Sequence, residues 1–538
     1  EHILDRVQRF AVERPDENAF VFIRRHNDEG EPLSWHNLWS LACDLSRTLD
    51  VRGDPAKTGV LIFCNDEKHF VLSLLAVWMR GATAIPASAG LQKASLERNT
   101  HIIHQAKPDL VLHDLDEKRV GTLGTMIPEA RFHAIPSLGT GQFDDMDLSA
   151  LEVGRLLQFT SGSTFSPKAV LIGADNLAAG TTTIRETYSL TEASTVLHWL
   201  PLFHDMGLIG SCISTMWNGA TSIILKPSIF IQRPICWLQK IHEWRADTTS
   251  APNFAFDRLI RQIDDDDLKG LDLSCLTTVI FGGEPVRSGT VAALVEKLAP
   301  AKFSSKAIAP SYGLAEATLL VSSGQTASGP VFSSSHSTTR TVGLGLPLLG
   351  VDLQIKQKDT GQTLQEGELG EIWISGPAVG TIVPADRDWR AAGTPVDVRT
   401  GDIGYIEDCH LFITGRDANK IIVRGKNIFA EDVEILAFQS QSEGVIEAVA
   451  AIGLEDDASE NLCLFVEKSK SGSDLNIAEL NRMFVTWLGV KPSQIISLRR
   501  LSLPRTSSGK IQRNEAKKML LAGGFADRML DHVIQAGN

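Results

Sequence analysis

The sequence has few cysteines, few tyrosines, no excess of basic residues and no long apolar run. Its seven cysteines are scattered without a CxxC pair or a metal-ligand spacing, which indicates buried, reduced residues rather than disulfides. The net charge of −13 argues against a nucleic-acid-binding surface, which needs clustered lysine and arginine. The most apolar helix candidate, residues 71–79, is far shorter than the roughly 20 residues of a membrane span. We therefore expect a cytoplasmic protein with no nucleic-acid partner and no membrane span.

What is present is an ordinary globular composition arranged as alternating strands and helices. At 538 residues the chain is too long for one hydrophobic core, so at least two domains are expected. Short aliphatic or β-branched runs predict strands at 60–63, 82–85, 110–112 and 278–281. Longer amphipathic patterns predict helices at 69–79, 178–188, 233–244 and 290–298. This alternation predicts an α/β fold with several sheets.

The character of the sequence changes near Gly415. Short strands are predicted at 420–423, 446–452 and 462–466, followed by a helix at 477–488. This segment is about the size of a minimal domain. We place the boundary at 417–420, which gives an N-terminal domain of residues 1–416 and a C-terminal α+β domain of residues 417–538.

One loop has the composition of a phosphate-binding turn. It follows the apolar run 156–159 and contains small hydroxyl residues, a glycine and a lysine: Thr160, Ser161, Gly162, Ser163, Thr164 and Lys168. Successive backbone N–H groups in such a turn form an anion-binding concavity, hydroxyls add donors, and the lysine adds charge. The GxxxxGK[ST] spacing of a Walker loop is absent, and a plain flexible loop is the alternative interpretation.

Three further motifs follow in order. Tyr312 and Glu316 flank a glycine in 310–318, Asp402 follows a Thr-Gly pair in 399–405 with Arg416 shortly after, and Lys510 lies in the Ser-Ser-Gly-Lys run of 504–513. Together with the phosphate loop, these resemble the signature motifs of the adenylate-forming superfamily, which includes acyl-CoA synthetases, luciferases and peptide-synthetase adenylation domains. Within it, residues 201–210 (PLFHDMGLIG), 251–256 (APNFAF) and 312–322 (YGLAEATLLVS) resemble the fatty acyl-AMP ligases. The likeness covers nearly the whole chain.

The resemblance implies a large multi-sheet N-terminal domain with a small, mobile C-terminal lid. It implies that ATP, with Mg²⁺, activates a fatty or other apolar carboxylic acid to an acyl-adenylate and pyrophosphate. The acyl group would then pass to the phosphopantetheine thiol of an acyl carrier protein, with coenzyme A as the alternative acceptor.

It also implies roles for single residues. Lys510 would reach between the carboxylate and the transferred phosphoryl group, and Glu316 with Thr164 would hold Mg²⁺. Asp402 would bind the ribose hydroxyls and Arg416 the ribose or phosphate. The residues expected to sandwich adenine are Gly283, Glu284, Pro285, Ser311, Tyr312 and Gly313. His204 resembles a gate at the acyl tunnel, whose wall candidates are Met206, Trp217 and Phe254.

Each of these residues has a plainer interpretation. Asp402 could be a turn aspartate, Arg416 a surface ion-pair partner and His204 a hydrogen-bonded core histidine. Tyr312 and the tunnel candidates could be ordinary core residues.

The sequence departs from the family pattern in several places. Phe165 and Ala169 stand where the phosphate loop usually has glycine, and Ala418 occupies the expected hinge position. The insertion usual after the LLVS stretch is shortened to the residues between 323 and 340. Since the resemblance ties that insertion to refusal of coenzyme A, an acyl-CoA synthetase is the second hypothesis. An amino-acid-activating domain is disfavoured, because His204 stands where such domains carry an aspartate, although Asp205 is adjacent. A non-catalytic nucleotide-binding module is the fourth.

Overall fold

The computed structural model describes most of the chain. The described residues are 2–90, 93–137, 139, 141–148, 153–160, 167–324, 329–336, 340–393, 397–423, 426–442, 444–456, 459–469, 474–506 and 509–535. Their helices are Ile3–Glu13, Trp35–Thr48, Glu67–Met79, Lys93–Ala106, Glu117–Met126, Ala174–Tyr188, Asp205–Gly207, Ser214–Asn218, Pro227–Gln232, Ile235–Trp244, Asn253–Gln262, Ser288–Leu298, Ala430–Gln439, Ile477–Leu488 and Arg513–Leu521.

Two large sheets form the body of the N-terminal part. The first has eight strands in the order Leu320–Ser323, Ile308–Gly313, Thr278–Phe281, Thr248–Ala251, Thr195–His198, Thr221–Leu225, Asn18–Ile23 and Glu31–Ser34. The second has seven strands in the order Thr381–Val383, Ala169–Ile172, Leu156–Phe159, Thr83–Pro86, Gly59–Phe63, Leu110–His113 and Arg131–Ala134. Most neighbouring strands are parallel, and the antiparallel pairs lie at the edges. Their buried aliphatic runs fit sheets that helices cover on both faces.

Two smaller four-stranded sheets follow. One consists of Asp352–Lys356, Gly370–Ser375, Val398–Glu407 and His410–Arg416 and is antiparallel throughout. The other, near the C-terminus, consists of Ile446–Asp456, Ser459–Lys468, Gln494–Leu498 and Met529–Ile534. The helices Ala430–Gln439 and Ile477–Leu488 and the hairpin of Lys420–Val423 with Lys426–Phe429 share an apolar core with this sheet. Short two-residue strands pair Phe332–Ser333 with Thr341–Val342.

The predicted α/β class is confirmed, and the differences from the sequence are mainly at element ends. The helix predicted at 69–79 begins two residues earlier, at Glu67, because the Asp66 carboxylate caps it by accepting from the backbone N–H groups of Lys68 and His69. The helix predicted at 233–244 begins only at Ile235, directly after Pro234. None of the helices in the described part of the chain has the length and apolarity needed to cross a bilayer.

The topology brings several loops to one place. The strands Thr195–His198, Thr248–Ala251, Thr278–Phe281 and Ile308–Gly313 are parallel, so their carboxyl ends lie along the same edge of the eight-stranded sheet. Ligands in open α/β sheets bind outside the carboxyl ends of the strands. This edge is therefore the expected location of a functional site.

Candidate active site

A cavity of about 790 Å³ opens at this edge. The loops that follow the parallel strands line it, and so do residues after 417 from the C-terminal part of the chain. The predicted site residues that line it are Thr160, Lys168, Met206, Phe254, Gly283, Glu284, Pro285, Ser311, Tyr312, Gly313, Glu316, Asp402, Arg416 and Lys510. Residues separated by more than 300 positions in the sequence thus share one cavity wall.

Tyr312, Asp402 and Arg416 form a hydrogen-bonded group in the cavity. The Tyr312 hydroxyl donates to one carboxylate oxygen of Asp402 at 2.6 Å, and Arg416 Nε donates to the other at 2.8 Å. Burial raises the pKa of Tyr312 well above 10.0, and the Asp402 charge adds to the shift. The same carboxylate raises the pKa of Arg416. The Asp402 carboxylate therefore accepts hydrogen bonds from two donors in the cavity.

Lys510 projects into the cavity from the C-terminal part. Burial lowers the pKa of its ammonium below 10.5, while the carboxylates of Asp205, Glu284 and Asp402 act in the opposite direction. The preceding Gly509 has a φ of +86°, and a Cβ there would lie 2.7 Å from Phe254 Cζ. The lysine loop therefore packs against the N-terminal part so closely that only glycine fits.

Glu284 is a buried carboxylate close to this lysine. Burial raises its pKa, and the charges of Arg287 and Lys510 together with the Phe254 N–H hold the shift back. Arg287 in turn donates to Asp257 at 2.6 Å, and its guanidinium lies 5.5 Å from the ring of Phe438 in the C-terminal part.

The phosphate-loop prediction is only partly within the described residues. Thr160 and Lys168 bracket the loop: the Thr160 N–H donates to the Lys168 carbonyl at 2.9 Å, and the Lys168 N–H to Thr160 Oγ1 at 3.1 Å. Ser161, Gly162, Ser163, Thr164 and Phe165 lie outside the described residues. Ala169 is buried in a strand, where its pairing with Phe159 does not require glycine. Glu316 faces the cavity, and burial raises its pKa against the charge of Lys168.

Part of the cavity is apolar. The mainly apolar residues that line the cavity include Ile184, Tyr188, Met206, Ile280, Leu319 and Leu320, and Gly210 lines it as well. A Cβ on Gly210 would lie 2.8 Å from Leu319 Cδ2, so the glycine gives this leucine its space.

Two predicted pocket residues are not among the residues that line this cavity in the described chain. The ring of Trp217 packs against the Arg6 guanidinium at 4.4 Å and belongs to an apolar core cluster. His204 is not among the cavity-lining residues of the described chain. It directly precedes the helix Asp205–Gly207, and its ring centroid lies 4.6 Å from that of Phe203. Burial, together with the charges of Arg98 and Lys510, keeps its pKa well below 6.5. Asp205, which was considered only as a neighbour in register, takes the position on the cavity wall instead.

Sequence reasoning also missed the contacts of three residues near the cavity. Arg287 and Phe438 are single residues without a motif, and no local signal marks their approach. Arg513 was part of a recognised motif but had no assigned role. It forms two hydrogen bonds with Glu434, at 2.6 and 2.7 Å.

Comparison with known proteins agrees with this geometry. The family model for AMP-binding enzymes matches residues 7–381. The chain belongs to this family, and the predicted membership of the adenylate-forming superfamily is confirmed.

Relatives that align with nearly the whole chain are named as fatty-acid ligases. The chain is 28% identical to the long-chain-fatty-acid–AMP ligase FadD26 of Mycobacterium marinum, over 96% of each chain. It is 27% identical to the medium-chain-fatty-acid–[acyl-carrier-protein] ligase JamA of Moorena producens, over 97% of this chain and 95% of the relative. A structure from studies of fatty acyl-adenylate ligases from E. coli and L. pneumophila matches with a TM-score of 0.82 and 25% identity, over 98% of both chains.

Proposed function

We propose that this protein is an acyl-AMP ligase that activates a fatty or other apolar carboxylic acid and passes it to a carrier protein. The observation that carries the proposal is the position of Lys510. Lys510 lines the same cavity as the Tyr312–Asp402–Arg416 group, and apolar residues suited to an acyl chain line that cavity as well. The names of FadD26 and JamA support the same activity.

The first step joins two anions. A carboxylate oxygen attacks the α-phosphorus of ATP, the bond to the bridging oxygen breaks, and pyrophosphate leaves. Two unit charges at 4 Å repel by about 4 kcal/mol at an effective dielectric of 20, and the Lys510 ammonium offsets this repulsion. The rest of the rate enhancement would come from positioning.

Residues from several segments of the cavity wall would bind the nucleotide. Asp402 would accept hydrogen bonds from the ribose hydroxyls, and Arg416 would contact ribose or phosphate. The segments Gly283, Glu284, Pro285 and Ser311, Tyr312, Gly313 would flank adenine. Thr160 and Lys168, with the loop between them, would bind the β- and γ-phosphates.

The residues present fit one magnesium ion. Mg²⁺ typically takes one or two carboxylates and completes its shell with substrate phosphates and water. Glu316 is a partly buried carboxylate of the cavity wall on which the charge of Lys168 acts, and this suits the role. The ion would neutralise phosphate charge when ATP is bound.

In the second step the thiol sulfur attacks the acyl carbonyl and AMP leaves. We favour the phosphopantetheine of a carrier protein as acceptor, and the name of JamA supports this choice. The short segment between 323 and 340 favours coenzyme A as the second candidate, since the insertion tied to its refusal is reduced.

We also propose that residues 1–416 and 417–538 act as body and lid. The three-residue turn Asp417–Asn419 joins them, and Ala418 at its centre lines the cavity. All seven cysteines are free, which supports a reducing compartment such as the cytoplasm.

The test is ATP–pyrophosphate exchange with a panel of fatty, aromatic and amino acids. Exchange with fatty acids is expected. Amino acids belong in the panel because the Asp205 carboxylate lines the cavity and could pair with an α-ammonium. In a second assay, a carrier protein with a free phosphopantetheine thiol would accept the acyl group, whereas efficient acyl-CoA formation without a carrier would show that the proposed acceptor is wrong.

A further inference from the structure

Three hydroxyl groups meet at the wall of the apolar part of the cavity. Tyr188 Oη and Ser311 Oγ are 2.8 Å apart, and Ser311 Oγ lies 3.1 Å from Ser323 Oγ. Tyr188 ends the helix Ala174–Tyr188, and Ser311 and Ser323 are directly opposite each other on two paired strands. We call Tyr188, Ser311 and Ser323 the hydroxyl triad.

The triad is unexpected in these surroundings. Tyr188 and Ser311 are buried cavity-lining residues, and the neighbouring wall consists of Ile184, Met206, Ile280, Leu319 and Leu320. Alkyl side chains alone would be enough to pack against an unsubstituted hydrocarbon chain. Burying hydroxyls against such a chain is unfavourable unless their hydrogen bonds are satisfied.

Each hydroxyl of the triad has a partner within the protein, and acceptor lone pairs are left over. Three hydroxyls carry three protons and six lone pairs. The Ala309 carbonyl, 2.9 Å from Ser311 Oγ, accepts one proton, so two protons remain to fill lone pairs within the triad. In the described part of the chain, no other donor reaches these oxygens. Whichever way the protons point, the triad presents unfilled acceptors.

The triad lies on the acid side of the cavity. Successive residues of a strand point to opposite faces, so Tyr312 reaches Asp402 while Ser311 faces the helix. A Cβ on Gly282 would lie 3.5 Å from Met206 Cε and 3.8 Å from the Ser311 carbonyl oxygen, which places Met206 next to this strand. Asp205, the residue before Met206, is within the electrostatic reach of Lys510. The segment of Asp205 and Met206 therefore links the strand of Ser311 to the surroundings of Lys510.

We propose that the hydroxyl triad binds a hydroxyl group on the acyl chain, so that the preferred substrate is a hydroxy acid rather than the unsubstituted acid of the same length. A substrate O–H would donate to one of the spare lone pairs of the triad. This inference rests on the proposed adenylation. It concerns which acid the site selects.

The test is pyrophosphate exchange with matched pairs of acids. Each unsubstituted acid is compared with its positional hydroxy isomers, and the ratio of kcat/KM values is measured. In the wild-type protein at least one hydroxy isomer is expected to exceed its parent by roughly tenfold, the value of one satisfied buried hydrogen bond. Tyr188→Phe should bring that ratio close to one.

Two further variants make the result interpretable. Ser323→Ala removes the partly exposed member of the triad and should also lower the ratio. Tyr405→Phe removes a comparable phenol–serine bond, of 3.0 Å to Ser333, away from the cavity and should leave the ratio unchanged. Equal rates for both members of every pair in the wild type, or a ratio insensitive to Tyr188→Phe, would overturn the inference alone. Absence of exchange with every acid would refute the adenylation proposal and this inference with it.

Discussion

At the scale of single residues, Lys510 is the side chain on which the proposed chemistry depends. Replacing it by alanine removes the charge that offsets carboxylate–phosphate repulsion. We expect pyrophosphate exchange to fall by about 10²- to 10³-fold, as when an electrostatic stabiliser is removed elsewhere. ATP binding, measured by calorimetry, should persist, because Asp402, Tyr312 and Arg416 remain.

Lys517→Ala is the matched control for this change. Lys517 lies on the helix Arg513–Leu521 and faces the exposed Glu455 at 3.5 Å. Its removal should leave exchange within about twofold of wild type, because surface ion pairs contribute little. Near-normal exchange in Lys510→Ala would show that the catalytic assignment is wrong.

The lowered pKa of Lys510 predicts a pH dependence. Burial favours the neutral amine, so the ammonium loses its proton at a lower pH than an ordinary lysine with a pKa of 10.5. The kcat/KM for exchange should therefore decline on the alkaline side, with an apparent pKa below that value. Arginine stays charged over this range, so whatever activity Lys510→Arg retains should lack this decline. A wild-type profile that stays flat through the same range would contradict the prediction.

At the scale of elements, the lysine loop is a hairpin fixed at both legs. Arg505 donates to Glu467 at 2.8 Å on one leg, and Arg513 forms its double hydrogen bond with Glu434 at the end of the other. Both glutamates belong to the C-terminal part, on the strand Ser459–Lys468 and the helix Ala430–Gln439. The hairpin is therefore held rigidly to that part.

Arg513→Gln tests this attachment. Loss of the guanidinium leaves Glu431 and Glu434 partly buried without their cation. Breaking one side of a buried ion pair typically costs about 3 kcal/mol, and we expect that loss in the free energy of unfolding measured with urea. Exchange should fall too, because Lys510 loses its support. Arg482→Gln, which breaks only the exposed pair with Glu479, should change stability by less than about 1 kcal/mol. A similar effect of both changes would refute the role of the attachment.

At the scale of the whole molecule, contacts between the two parts of the chain border the cavity. Gly509 packs on Phe254, Arg287 lies over the ring of Phe438, and Arg261 approaches the Glu447 carbonyl at 3.5 Å. If the two parts reorient between the steps, these contacts serve adenylation and not thiol transfer.

Gly509→Ala separates the two steps. The added Cβ clashes with the Phe254 ring and displaces the lysine loop, so adenylation should fall by about 10²-fold, the effect of a misplacement near 1 Å. Transfer from supplied acyl-adenylate to a carrier thiol should change much less. Gly523→Ala is the control, since its φ of +72° imposes similar backbone strain in open space. Equal loss in both half-reactions would argue against a reorienting lid.

The sequence predicted much of this arrangement, and its limits have physical causes. Strands and helices followed from periodicity, and Lys510, Asp402 and Tyr312 were found because each lies in a local motif. Asp205 lines the cavity although the sequence favoured its neighbour His204, because no local pattern distinguishes two adjacent polar residues. Trp217 could not be told from a core residue. The pairing of Arg287 with Phe438 depends on tertiary approach, which no local pattern encodes.

The double attachment of the lysine hairpin has one more consequence. If the C-terminal part is a mobile lid, these two attachments would make the lysine leave the cavity together with the whole C-terminal body. A compound wedged between the Arg287 guanidinium and the Phe438 ring would pin that body in place. Such a compound would let the adenylate form and then trap it, although it touches neither nucleotide nor acid.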